Sequence, residues 1–575
     1  MFKSGKLTFW HYGAPPRSII LLSVASSKRF ASWFTWRLPA SALLFLAIPI
    51  VFLITVFELT KAKGPQWLPT SFENPYAYLF NSLLLVKGQE PMHIDHPGTT
   101  TQVFGAIILR ASSLKSADEL VTATLRDPEK QIRKLHQALL FFTALVLWLC
   151  PWITAVALRN LVVGLLIQVP CLFYQTLLWY GILFGSDLML VPFSIAAVCC
   201  CTLQIAPKPS ADAQAVLVGI RTRSSADDSP RRAPFPFLAA LTGLVCALGI
   251  VTKLTFFPLI LISLLCCQSW RNLSAFMVAF VTGVVICVLP TYSQLLRLLT
   301  WAVNLGTHTG DYGSGAIGFA EANVYLPFLW EFFQKGPLVA IIPLASTFLV
   351  ILLSLLPKKE RSRNPVSRRT ALPLFAIQLI SFFVIAKESG PHYFIPLALT
   401  AGLGLVLLFY SQQTPNSSAI VRAIGWLVLI CLLGLGIRDF IRKTPQTYTD
   451  LCDQRVDQLR LYNHAKAITK DGVRVDYFFS DSPEYAICYG NNYAGKFFGP
   501  LLTHMYPKAF FFNIFNSRFE TFTEYLLPEV ELKKYDHLYF LGTPSLFPAV
   551  DGLDPKTFET IDRAGEYYLQ RWTRK

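Results

Sequence analysis

The sequence predicts a polytopic α-helical membrane protein, with about eleven transmembrane helices plus one outer interfacial helix, followed by a soluble C-terminal α/β domain. Three observations lead there. Of 575 residues, 53% are hydrophobic and 15% charged, whereas soluble domains carry roughly 25% charged residues. Apolar runs recur at about 38–58, 101–114, 137–158, 160–180, 184–204, 236–252, 254–268, 273–290, 336–356, 371–386, 391–410 and 420–437. About 20 apolar residues suffice to cross a bilayer. From residue 439 onward the chain turns hydrophilic and its charge balances, 17 Lys and Arg against 18 Asp and Glu. A soluble enzyme, a disordered chain, collagen and a β-barrel are excluded.

The net charge of +16 therefore belongs to residues 1–438, which hold 34 basic and 17 acidic residues. It reflects loop asymmetry across a membrane, and no nucleic-acid partner is expected. Residues 1–37 carry six Lys and Arg and no acid, the 206–235 loop carries five, and 357–370 carries six. All three fall on the cytoplasmic side together when the short run 101–114 lies in the outer interface instead of spanning. That layout makes 1–37 a basic cytoplasmic segment, 38–438 the transmembrane domain, and 439–575 an extracytoplasmic domain. Outer loops then cover 59–136 and 291–335, and 206–235 is a cytoplasmic linker. The run 38–58 acts as a retained signal anchor.

The loops and tail supply the remaining elements. In the first outer loop, a helix opening with Glu73, Asn74, Tyr76, Tyr78 and Asn81 ends near Gly88. His93, Asp95 and His96 then precede Pro97, which opens the interfacial helix with Asp95 near its N-terminus, where a carboxylate is favoured. The second outer loop, GTHTGDYGSGAIG around His308, Asp311 and Tyr312, reads either as a mobile lid or as a plain connector. In the tail, strands are predicted at Val473–Ser480, Lys508–Phe515 and His537–Leu541, with helices at Leu451–Lys470, Pro483–Tyr493 and Phe519–Leu527. Strands alternating with helices favour a parallel or mixed sheet. No Gly-rich loop follows these strands and no Walker A motif occurs, so no nucleotide is expected. Ten of twelve cysteines sit in apolar runs as small hydrophobes. Cys452 and Cys488, in the tail, could pair if it is extracytoplasmic.

An acidic residue after the first span, a Y-x-Y helix ending in Gly, then a His-Pro turn and an interfacial helix resemble the GT-C superfamily of polytopic glycosyltransferases. The run FLAALTGLVCALGIVTKLTFFPLILI (237–262) looks like that family's small-residue helix ending in Thr-Lys. AKESGPHYFIPLAL (386–399) looks like its later Lys before an aromatic-Pro segment. The likeness covers roughly residues 38–410 and points to the protein O-mannosyltransferase and lipid A aminoarabinose transferase group.

The resemblance implies an inverting transferase in a bacterial inner membrane. It would move a sugar from a polyprenyl-phosphate donor to a hydroxyl of a glycan, lipid or protein acceptor, without a cofactor. Glu73 matches the family's general base best, although Asn74 replaces the usual second acid, leaving Asp95 as the nearest other carboxylate. A helix cap is the alternative role for each. Lys253 is the candidate phosphate contact, with snorkelling as its alternative, and Lys387 and His392 flank another outer turn. Asn74, Tyr76, His93 and His96 complete the expected substrate-binding set. No metal is expected, because H-x-D-H is short and no other residues complete a ligand set. A transporter is the competing function, kept open by Asp187 near the start of a span; no internal repeat supports it. A membrane scaffold gives the polar first loop no purpose.

Overall fold

The computed structural model describes residues 18–68, 75–94, 98–206, 236–355, 368–388, 390–412, 419–469, 473–477, 482–544 and 553–574, with side chains of the first helix from Pro39. Every apolar run becomes helical. Among the described residues, seven helices are long and apolar enough to cross a membrane, including Pro39–Lys63, Pro128–Leu158, Ser186–Ile205 and Leu338–Leu355. An eighth span forms if Leu161–Phe173 and Gln175–Gly181, bent by 73°, count as one. The other expected spans are shorter apolar helices, Pro236–Thr252, Leu254–Cys266 and Thr370–Ile385. They tolerate that shortness by packing among neighbours. Pro236–Thr252 lies so close to Trp270–Val288 that a Cβ on Gly243 would stand 2.3 Å from the Phe276 carbonyl, the small-residue packing expected of membrane helices.

The helix ends at residues 63, 128, 181, 186, 252, 254 and 391 gather at one face, which also bears the C-terminal domain. By chain parity, the ends flanking 207–235 and 356–367 lie at the opposite face. Helix Ala419–Ile468 is continuous for 50 residues, so it crosses residues 438 and 439 without a break and carries the chain from bundle to tail. Arg455 on this helix donates to the Lys61 carbonyl at 2.6 Å.

The tail forms a seven-stranded mixed sheet of order β4-β3-β2-β1-β5-β7-β6. The strands are β1 (Val473–Tyr477), β2 (Phe511–Asn513), β3 (Arg518–Glu520), β4 (Tyr525–Leu526), β5 (His537–Gly542), β6 (Glu559–Ala564) and β7 (Tyr567–Thr573). β1 runs parallel to both β2 and β5, with Asp476 beside Phe511 and Val475 beside Phe540; the outer pairs are antiparallel. The expected helix Phe519–Leu527 is overturned. Phe519, Phe522 and Tyr525 stand three apart, a helical spacing, but pairing with β2 folds the segment as the β3–β4 hairpin with Phe519 fully buried. The disulfide is also not formed. Cys452 and Cys488 are free, and the buried Cys488 thiol lies 3.6 Å from the Glu520 carboxylate.

Helix Pro483–Tyr493 docks the tail onto the first-loop helix Pro75–Val86. A Cβ on Gly490 would stand 2.7 Å from the Phe80 ring and 2.9 Å from the Tyr76 carbonyl, so only glycine permits this approach. Phe80 meets Phe498 edge to face at 5.6 Å, and Asn81 donates to the Tyr493 carbonyl at 3.1 Å. One apolar core runs without interruption from the bundle through this seam to Phe511 and Phe522.

Candidate active site

Glu73, Asn74, Asp95 and His96 lie outside the described residues, but the chain on either side of them is firmly held. Glu129, in the first turn of helix Pro128–Leu158, accepts from the Gln66 backbone amide at 2.8 and 2.9 Å and from the Tyr76 hydroxyl at 3.4 Å. One carboxylate thus grips both flanks of residues 69–74. Asn81 does the same ahead of residues 95–97: its Oδ1 accepts from the Met92 and His93 amides at 2.8 and 3.0 Å. After them, Gly98 donates to the Thr252 carbonyl at 2.9 Å, and the Thr100 and Thr252 hydroxyls meet at 2.6 Å. Gly98 has φ of 51°, the left-handed conformation that glycine adopts without strain.

Thr252 is followed by Lys253, so the same anchors bring the first loop to the candidate phosphate contact. Lys253 is extended, with φ of −161°, and breaks the chain between helices Pro236–Thr252 and Leu254–Phe256. Gly249 allows the turn, since a Cβ there would meet the Phe256 ring at 2.5 Å. Lys253 Nζ lies 3.0 Å from Asp187 Oδ1, with the two side chains 1% and 4% exposed. Burial of two charges in an apolar bundle is costly unless they compensate each other. Asp187 sits in the first turn of helix Ser186–Ile205, where the helix dipole favours a carboxylate. The Lys253 ammonium also lies 4.8 Å from the Tyr393 ring, a cation–π distance.

Aromatic and imidazole rings wall this ion pair. His392 lies between Tyr180, at 4.5 Å, and Tyr393, at 4.0 Å. Tyr393 donates to the Tyr312 hydroxyl at 3.0 Å. From the first loop, Tyr78 donates to Ser186 Oγ at 2.9 Å, one residue before Asp187. The His93 ring packs 5.6 Å from Tyr78 and 4.6 Å from Tyr493 of the C-terminal domain. Six separate stretches of chain converge here.

Of the expected binding residues, Lys253, His392 and His93 lie along this convergence. Tyr76 does not: it points to Glu129, on the other side of its helix from Tyr78. Lys387 also turns away. Its ammonium bonds the Leu305 carbonyl and stands 5.8 Å from the Phe319 ring, and burial lowers its pKa. It ties the 386–390 turn to the second loop. That loop is not a bare connector: it forms helices Leu295–Thr307 and Ala322–Lys335, with a bridge between His308 and Ile317. Tyr312 within it takes φ of 55° and receives its place from the Glu388 carboxylate, which accepts from its amide at 3.3 Å. Sequence reasoning missed Asp187, Tyr78, Ser186, Tyr312, Tyr393 and Tyr493 as site residues. Of these, Asp187 carried a signal as an acid at the start of an apolar run, Tyr78 as part of the Y-x-Y helix, and Tyr312 as part of the glycine-rich second loop. Among the described residues, no three His, Cys, Asp or Glu side chains gather as metal ligands.

Fold and site define a polytopic membrane protein with a buried ion pair walled by aromatic rings at one face of the bundle, and a C-terminal domain whose Tyr493 packs on the first loop beside it. No family model matches the chain, and no curated protein matches it in sequence. Among solved structures it is similar to ArnT from Cupriavidus metallidurans, crystallised bound to undecaprenyl phosphate, at 10% identity over 92% of this chain and 97% of that one, with a TM-score of 0.44.

Proposed function

We propose that the protein is a GT-C-type glycosyltransferase that uses a polyprenyl-phosphate sugar at the membrane face bearing the C-terminal domain, extracytoplasmic by the loop charges. The observation that carries this reading is the buried Lys253–Asp187 pair at the mouth of the bundle, joined through Thr252 to the loop holding Glu73 and Asp95. A cation held in a low-dielectric cleft attracts a phosphate far more strongly than one in water, and in-membrane ionisable residues mark functional sites.

In the proposed step, Glu73 or Asp95 takes the proton of the acceptor hydroxyl. The oxygen bonds the anomeric carbon as the bond from that carbon to the phosphate oxygen breaks, with inversion. The carrier phosphate leaves with the bonding electrons and is neutralised by Lys253, with His392 beside it. Geometry governs such proton transfer first and pKa second, which is why the doubled anchoring of both carboxylate-bearing segments matters. Asn74, Tyr76 and His96 line or support the acceptor path in this reading. Lys387 acts at a distance, through the second loop.

Two helix breaks favour a second reading. The 73° bend near Tyr174 and the break at Lys253 resemble the discontinuous helices of transporters, although the charges lie at helix ends instead of mid-span. The test is release of polyprenyl phosphate from radiolabelled polyprenyl-phosphate sugars by purified protein, with cell-envelope extract as acceptor. The transferase reading expects turnover that Glu73→Gln or Asp95→Asn abolishes with the thermal melt unchanged. Labelled lipid crossing proteoliposomes without turnover would favour transport.

A further inference from the structure

We propose that the cavity between helix Pro483–Tyr493 and the loop at Met92 is a saccharide subsite that holds the glycan part of the acceptor. Its volume is about 390 Å³, within the roughly 300–1,000 Å³ of small-molecule sites. One wall is a ladder of tyrosines. Tyr485, Tyr489 and Tyr493 stand four residues apart, on one helix face, with successive ring centroids 6.5 and 4.7 Å apart. The opposite wall comes from β2 and β3 through Asn513 and Glu520.

The polar groups are fixed in advance. Glu520 is 2% exposed and accepts from Asn492 Nδ2 at 2.9 Å and Asn513 Nδ2 at 3.5 Å, with Lys496 Nζ at 3.1 Å. Asn492 Oδ1 is buried and accepts no hydrogen bond among the described residues. It is an acceptor suited to a ligand hydroxyl. Tyrosine ring faces carry partial negative charge and suit the C–H faces of a pyranose. An acyl chain would waste the amides and the carboxylate. A bare phosphate could meet Arg297, which also lines the cavity, but would leave the tyrosine ring faces unused.

The position fits an acceptor. Tyr493 forms the cavity wall and also packs on His93 at 4.6 Å, so an occupant lies beside the loop that carries the candidate bases. The assignment of the occupant as acceptor rests on the transferase reading; its being a saccharide does not.

The experiment measures binding without donor, using full-length protein in lipid nanodiscs, which avoids sugar-based detergents. Maltotriose, triacetylchitotriose and digalacturonate serve as neutral, hexosamine and acidic probes in saturation-transfer NMR. At least one should receive saturation from aromatic protons. Tyr489→Ala and Asn492→Ala should each weaken its binding by about tenfold, equivalent to about 1.4 kcal/mol. Phe515→Ala, on an exposed rim of the cavity and harmless to folding, should weaken it less, whereas Lys508→Ala, in a different cavity, should leave it unchanged. Binding by none of the three, or binding that the cavity variants leave intact, overturns the proposal. Saccharide binding without donor turnover would instead sink the transferase reading and leave the subsite standing.

Discussion

A half-buried cation–carboxylate cluster in the C-terminal domain and a fully buried pair at the bundle mouth are built differently. In the C-terminal domain, Arg474 meets Asp476 at 2.8 Å and Glu484 at 2.9 Å, and its guanidinium lies 5.4 Å from the Tyr462 ring. Asp476 also accepts from Ser482 at 2.5 Å, and Ser482 caps helix Pro483–Tyr493 by accepting from the Tyr485 amide at 3.0 Å. The planar fork thus ties β1 to the helix that docks on the bundle, a use for which arginine is suited. At the bundle mouth, Lys253 is a compact point charge on a flexible stem. It sits at a helix break, against one carboxylate and a ring face, where six chain segments meet. Both hold a buried carboxylate against a cation. The first fixes secondary structure to secondary structure, and the second holds charge beside a cleft. Burial alone does not separate a structural pair from a functional one; what surrounds it does.

Substitutions can break or sharpen that contrast. The largest expected effect is structural. Arg474→Ala leaves Asp476 buried without its guanidinium and should cost about 3–5 kcal/mol, visible as early unfolding of the C-terminal domain in thermal melts or limited proteolysis. Next, Lys253→Met should reduce donor turnover by about 10²–10³-fold, the usual effect of removing an electrostatic contact made in the transition state. A turnover assay at saturating donor reads this directly. A smaller effect is expected at Glu129, a positioning residue. Glu129→Gln weakens its grip on Gln66 and Tyr76 and should lower kcat about tenfold with little change in KM, since misplacement of a reacting segment acts on the chemical step.

The smallest effect is one of pH, away from the site. Asp562 is partly buried, which would raise its pKa, but hydrogen bonds from Arg460 and His464 hold it down to about 2. Its folded value is below its ordinary 3.8, so the stability it contributes is present above about pH 4 and is lost as pH falls toward 2. The pair is solvent-screened and should be worth less than about 1 kcal/mol. The melt of Asp562→Asn should therefore lie slightly below that of wild type above about pH 4, with the difference closing as pH falls toward 2.

Most of the bundle was legible because apolar runs of membrane length admit little besides helix. Lys253 stood out for the same reason, as a charge inside such a run. Helix Pro75–Val86 and strands β1, β2 and β5 followed from local patterns. The β3–β4 hairpin did not: Phe519, Phe522 and Tyr525 stand three apart as on a helical stripe, and pairing of β3 with β2 overrides that local pattern. Strand β6 is an edge element and β7 lies between it and β5, both with mixed exposure, and the regularity of β7 comes from pairing with β5. The Asp187 partnership was hidden because 66 residues separate it from Lys253. Tyr78 was confused with Tyr76 because sequence gives their spacing but not which helix face meets the cleft.

The central claim is that the buried pair serves the cleft and not the fold. It is tested most directly by replacing both members at once, Lys253→Met with Asp187→Leu, and measuring thermal melt and polyprenyl-phosphate release on one preparation. Removing a buried pair together leaves no orphaned charge and is often neutral for stability. The account predicts a melt close to wild type and turnover reduced at least 100-fold, the scale of a lost electrostatic contact. An unchanged turnover rate, in a protein that melts normally, would contradict it.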